Sequence, residues 1–165
     1  MAYIGLISDT HGYFDRKVRS FLEPVDVVWH AGDIGNEATL SEIATFKPLV
    51  GVFGNCDGYD VRDFTKSMRC FEQDGMTVLM THIGGYPGRY DARALQLIEA
   101  CRPDIFVCGH SHILKVVHDK HYDMMVLNPG AAGLQGFHLV RTALRFRIED
   151  GRLKDMEVGE WPKND

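Results

Sequence analysis

Five apolar runs in this chain each stop on residues of the kinds that ligate metals. Residues 4–7 lead to Asp9 and His11, 25–29 to Asp33, 50–53 to Asn55, 78–80 to His82, and 105–107 to His110 and His112. A strand buried on both faces reads as a short β-branched run, and open α/β folds place their chemistry just beyond the carboxyl ends of such strands. The pattern predicts an α/β fold that gathers seven ligand-type side chains along one sheet edge.

The rest of the chain fits that scheme. Strands are expected at residues 3–8, 26–30 and 49–53, alternating with helices at 16–22 and 37–46. Pro24 closes the first helix and Asn36 caps the second. Residues 69–81 read as a hairpin turning at Gln73, Asp74 and Gly75, followed by a helix over 91–101 that Pro103 ends. Beyond His112 the pattern becomes hairpins: 114–118 with 123–127, and 139–148 with 153–158, the last turned at Asp150 and Gly151. With helices early, hairpins late and no Pro/Ser/Gly linker between, the expected architecture is two mixed β-sheets packed face to face and flanked by helices. One domain over residues 1–160 is expected, with 161–165 as a frayed tail.

Composition excludes several classes. At 165 residues, 45% hydrophobic and 25% charged, the chain has the make-up of an average globular domain and none of a disordered or collagen-like one. No apolar stretch approaches the roughly 20 residues of a membrane span, and no basic-then-apolar leader precedes the first strand, so a cytoplasmic protein without membrane contact is expected. A net charge of -5 gives no broad basic footprint for a nucleic-acid backbone. Cys56, Cys70, Cys101 and Cys108 form no C-x-x-C pair, so reduced thiols are expected, with Cys101 and Cys108 as small core residues.

The donor set is mixed nitrogen and oxygen without thiolate, which favours manganese, iron, nickel, cobalt or zinc over magnesium or calcium. A four-coordinate site with one open position uses about three protein ligands, so seven are better explained by two ions sharing a carboxylate. Two imidazoles one residue apart, as in His110-Ser111-His112, can diverge to serve neighbouring ions, whereas Asp9-x-His11 can converge on one. A mononuclear hydrolase leaves Asn55, His82 and His110 without a purpose. His30 is expected to pack or hydrogen-bond behind the ligands, and His118, His121 and His138 to be ordinary surface or sheet residues. Gly84, Gly85 and Gly88 shape a loop; no strand-to-helix glycine motif surrounds them.

Taken in order, Asp9-Thr10-His11-Gly12, Gly32-Asp33, Gly54-Asn55-Cys56-Asp57, Thr81-His82 and Gly109-His110-Ser111-His112 resemble the motifs of the calcineurin-like metallophosphoesterases. Asn128-Pro129-Gly130 is similar to a later loop of their small YfcE-type phosphodiesterase branch. The resemblance implies a four-layer αββα sandwich. It implies one ion on Asp9, His11, Asp33 and His112, a second on Asp33, Asn55, His82 and His110, and Asp33 as the bridge. Two divalent transition-metal ions are expected, manganese first, with nickel, iron, cobalt or zinc as alternatives. The implied reaction is hydrolysis of a small, accessible phosphoester by water or hydroxide held between the ions, most naturally a phosphodiester, with backbone amides near Gly54 and Asn55 as donors.

Asp33, Asn55, Cys56 and Asp57 are the implied catalytic positions. Cys56 stands where many phosphatases of the superfamily carry a histidine that assists the phosphoryl group or protonates the leaving oxygen. A thiol, with a reference pKa of about 8.5, is a less apt acid at neutral pH. The YfcE-type branch shares this cysteine, and a small loop residue without catalytic work is an equal reading of it. Ile83 and Gly84 replace a frequent Gly-His, and Ala131 replaces a frequent serine. The contrasting function is a non-catalytic scaffold, because the small metallophosphoesterase-like subunit of retromer uses the same fold as an interaction surface. That subunit departs from the full ligand set and this chain does not, so an enzyme is expected, with homo-oligomerisation left open.

Overall fold

A computed structural model describes residues 1–163. In chain order the elements are β1 (Ala2–Ile7), α1 (Arg16–Phe21), β2 (Val27–His30), α2 (Glu37–Phe46), β3 (Leu49–Gly51), α3 (Tyr59–Arg62), β4 (Met68–Gln73), β5 (Met76–Thr81), β6 (Gly85–Tyr86), β7 (Arg89–Tyr90), α4 (Ala92–Cys101), β8 (Ile105–Val107), β9 (Leu114–Asp119), β10 (Met124–Pro129), β11 (Val140–Glu149) and β12 (Arg152–Pro162). Side-chain caps start three of the helices: Asp15 accepts from the Val18 amide, Asn36 from Thr39, and Asp91 from Arg93 and Ala94.

Two mixed five-stranded sheets result, ordered β12-β11-β1-β2-β3 and β4-β5-β8-β10-β9. The expectation of paired mixed sheets flanked by helices holds, but the sheets do not divide the chain into an early and a late half. β11 returns to pair antiparallel with β1, so the last hairpin completes the first sheet. Strand alternation builds three apolar layers. Ile4, Leu6, Trp29, Val78, Met80, Ile105, Val107 and Phe146 meet between the sheets. Ile7 and Val28 face Val18, Leu22 and Ile43 of α1 and α2. Leu79 and Phe106 face Ala94 and Ile98 of α4. Gly5 is required where α1 crosses, since a Cβ there would lie 2.4 Å from Leu22 Cδ2.

Three expectations are corrected. The last strand runs on to Pro162, with Trp161 opposite Arg141 and its ring edge-on to Phe21, because β11 offers a partner that long. The expected frayed tail therefore does not include Trp161 and Pro162; Asn164 and Asp165 lie outside the described residues. Cys70 and Cys101 are joined in a disulfide, not free as expected, because the end of α4 lies over the β4 edge. The short α3 and the β6-β7 ribbon carry no apolar periodicity and were not expected.

Candidate metal centre

The parallel strands β1, β2, β5 and β8 all end at one edge of the two sheets, where the ligand-type residues lie. Five of the seven sit in left-handed backbone: Asp9 (φ 54°), His11 (45°), Asp33 (56°), His110 (69°) and His112 (63°). Non-glycine residues rarely adopt this region, and clusters of them mark functional sites. The loops turn sharply straight after each strand, which swings the side chains inward.

Each carboxylate has one oxygen tied down and one aimed at a shared centre. Asp9 Oδ2 accepts from Ser8 Oγ (2.7 Å) and the His110 amide (3.1 Å). Its Oδ1 lies 3.2 Å from His112 Nε2 and 3.8 Å from both His11 Nε2 and His82 Nε2. Asp33 Oδ1 accepts from the Cys56 amide (2.9 Å), while Oδ2 lies 3.1 Å from His82 Nε2 and 3.6 Å from His11 Nε2. His110 Nδ1 is 3.1 Å from Asn55 Oδ1. Two ligand groups form, Asp9 with His11 and His112, and Asp33 with His82 and His110; a third joins His11 and Asp33 to the Cys56 thiol. All seven expected ligands thus come together.

The donor chemistry fits cations. His82 Nδ1–H donates to the Ala31 carbonyl at 2.7 Å, which directs the Nε2 lone pair at the carboxylates. Asp9 Oδ1 and His82 Nε2 are buried and make no well-aligned hydrogen bond, having only close contacts to His112 Nε2 (3.2 Å) and Asp33 Oδ2 (3.1 Å), a costly arrangement that a positive charge among them relieves. Burial alone would pull the His82 pKa down, but the close Asp33 carboxylate and the charge of Asp9 outweigh this and raise it, which shows how strongly the cluster favours positive charge. Burial likewise pushes Asp33 up, yet the close His82 imidazole and the Cys56 amide hold it at about 2.

Other residues fix these side chains. His30 is fully buried, accepts from the Gly32 amide through Nδ1 (3.1 Å) and lies 3.0 Å from Thr10 Oγ1 through Nε2. Burial lowers its pKa to about 4, so it is the neutral, hydrogen-bonding histidine the sequence suggests. Asp57 is buried and accepts the amides of Ile34 (3.1 Å), Gly35 (2.9 Å) and Gly54 (2.9 Å). Its carboxylate braces the loops after β2 and β3; proton transfer to substrate is not a role this geometry gives it. Asn128 Nδ2 donates to the Gly109 carbonyl (3.0 Å) and Ser111 Oγ (3.1 Å), steadying the His110-Ser111-His112 turn. Ala131 is fully buried. Burial, then the charge of Asp33, raises the Cys56 pKa, which keeps an exposed thiol protonated.

The residue that sequence reasoning missed is His138. Its Nε2 lies 2.8 Å from the Gly133 carbonyl, to which it donates, so its Nδ1 accepts, and His112 Nδ1 donates to it at 3.3 Å. His112 Nε2 then carries the lone pair facing Asp9. His138 lies in an irregular segment between strands, and nothing in the sequence marks it. His118 behaves as expected, paired with Asp123 on the surface.

Residues 3–151 match the family model described as the calcineurin-like phosphoesterase superfamily domain. A protein of Methanothermobacter thermautotrophicus named a probable metallophosphoesterase is 31% identical over 78% of this chain and 76% of its own length. Among solved structures, Vps29 of Chaetomium thermophilum superposes with a TM-score of 0.75 at 15% identity, covering 98% of this chain and 99% of that one. A structure described as a novel archaeal phosphodiesterase gives 0.73 at 22%, covering 94% and 99%. On the matched family model and the shared sequence, the chain belongs to the calcineurin-like phosphoesterase superfamily.

Proposed function

We propose that the protein is a metal-dependent phosphodiesterase using two divalent transition-metal ions, manganese foremost. The observation that carries this reading is the pair of ligand groups around two buried atoms, Asp9 Oδ1 and His82 Nε2, whose close neighbours are other ligand-type side chains and which make no well-aligned hydrogen bond. Asp9, His11 and His112 would hold one ion, Asn55, His82 and His110 the other, with Asp33 between them. When bound, such ions supply positive charge to phosphoryl oxygens and make a water molecule acidic enough to attack at neutral pH.

The chain's own groups complete the site. Asp9 and Asp33 stay ionised, because the groups around them lower both pKa values despite burial. Cys56 and Asn55 are exposed beside Asp33, where a phosphoryl group would sit. The protonated Cys56 thiol, with its weak hydrogen bonding, is a poor proton donor for a leaving oxygen. Diesters with stable leaving anions are accordingly the best substrates, in keeping with the archaeal phosphodiesterase among the fold neighbours.

A non-catalytic scaffold is the second reading, which the fold shared with Vps29 leaves open. Turnover decides. The metal-loaded protein should hydrolyse bis(p-nitrophenyl) phosphate, lose that activity in excess chelator and recover it with manganese. Absence of turnover under every metal and pH, with metals bound, supports the scaffold.

A further inference from the structure

A cleft of about 380 Å³ opens beside Asn55 and His82 and runs away from the metal centre between α3 and α4. Phe53, Ile83 and Leu97 give it apolar walls, and Arg62 and Arg93 lie along it. Arg62 is held in place: its Nε donates to the Asp57 carbonyl at 2.6 Å and its guanidinium stacks 4.6 Å above the Phe53 ring. The fork therefore has N–H groups left over in a fixed orientation, the condition under which arginine reads phosphate best. Arg93, in the first turn of α4, makes no side-chain hydrogen bond or ion pair among the described residues. Asp91 lines the same cleft, but its carboxylate is occupied as the α4 cap, accepting the Arg93 and Ala94 amides, and forms no ion pair with either arginine among the described residues. Two cations without a carboxylate partner thus share an apolar cleft that starts at the metal ligands, on a chain with net charge -5.

The geometry points to a subsite for one ester arm of the substrate, and to a specific kind of arm: an apolar or aromatic body carrying a second phosphate that Arg62 and Arg93 bind. The size suits this use, since small-molecule pockets span about 300–1,000 Å³. The proposal rests on the phosphodiesterase reading and narrows its substrate class to diesters bearing an additional anionic group. The scissile phosphate would lie at the metal centre and the second phosphate further along the cleft. A carboxylate in that place would meet the same guanidinium chemistry, and phosphate is favoured for its greater charge.

The test uses two substrates that differ by one group, the p-nitrophenyl ester of thymidine 5′-phosphate with and without a 3′-phosphate. Both release p-nitrophenolate, so the ratio of their kcat/KM values isolates the added phosphate. We expect the 3′-phosphate to raise kcat/KM about tenfold or more, mainly through KM, equivalent to roughly 1.4 kcal/mol for one charge-assisted contact. Arg93→Glu should bring the ratio to one or below, and Arg152→Glu, a charge reversal in the distant β11-β12 turn, should leave it high. A wild-type ratio near one, or a ratio that Arg93→Glu does not change, overturns the subsite. Calorimetric binding of thymidine 3′,5′-bisphosphate to the metal-loaded protein separates this from failure of the phosphodiesterase reading. If no ester is hydrolysed, binding that weakens about tenfold in Arg93→Glu still supports the subsite, and undiminished binding overturns it.

Discussion

At the scale of single residues, the candidate metal centre depends on side chains that aim other side chains. Gly54 shows how little room is left: a Cβ there would lie 2.1 Å from Asp33 Oδ1. Gly54→Ala must push the carboxylate aside, and if Asp33 serves the proposed hydrolysis a displacement near 1 Å costs on the order of 100-fold. Steady-state kinetics on a bis-aryl phosphate should show that loss, whereas Gly51→Ala, whose Cβ would stay 3.7 Å from the nearest atom, should change little. His138 acts from one step further back. His138→Ala removes the acceptor that orients His112 and should weaken metal binding by roughly 10- to 100-fold, with His138→Asn recovering part of it. Competition against a calibrated chelator measures this without reference to turnover, and equal affinity in His138→Ala would remove its positioning role.

The elements bring these residues to one edge because parallel strands that end together must turn together. That much was legible in the sequence, since β-branched runs stopping on Asp9, Asp33, His82 and His110 mark both the strands and their common edge. The boundaries of α2 were legible as well, from the Asn36 cap and the apolar spacing of Leu40 and Ile43. His138 and the Cys70–Cys101 pair were not. One lies in a segment without periodicity, and the other joins residues 31 positions apart whose approach depends on how α4 packs over β4. The junction between β2 and the β1 loop makes its own prediction. His30 there has its pKa lowered by burial from 6.5 to about 4, so between those values the unfolded chain binds the proton and the folded one does not. Stability of the chelator-treated protein should fall as pH drops from 6.5 towards 4, by about 3 kcal/mol from this group. Denaturant melts across that range should show a shallower slope for His30→Asn, and an identical slope would mean that His30 is not the group titrating.

On the scale of the whole molecule, the two sheets make a rigid base whose apolar middle layer fixes the separation of the ligand loops. The first sheet needs both ends of the chain, since β1 lies between β2 and β11, so cutting away the last hairpin would expose the β1 edge and the inner face together. The Cys70–Cys101 bond ties the β4 edge of the second sheet to α4 and closes a loop of about thirty residues. Loop-closure entropy assigns such a crosslink about 3–4 kcal/mol, so Cys70→Ser should lower the unfolding midpoint under oxidising conditions while leaving metal binding in place. Equal midpoints for the two proteins would show that the bond does not form in solution. If the seven converging side chains hold two ions and hydrolysis needs both, chelator-stripped protein titrated with manganese, with bound metal and bis(p-nitrophenyl) phosphate turnover followed together, should saturate at two ions per chain and become active only as the second is taken up. Saturation at one ion with full turnover would rule the dinuclear centre out.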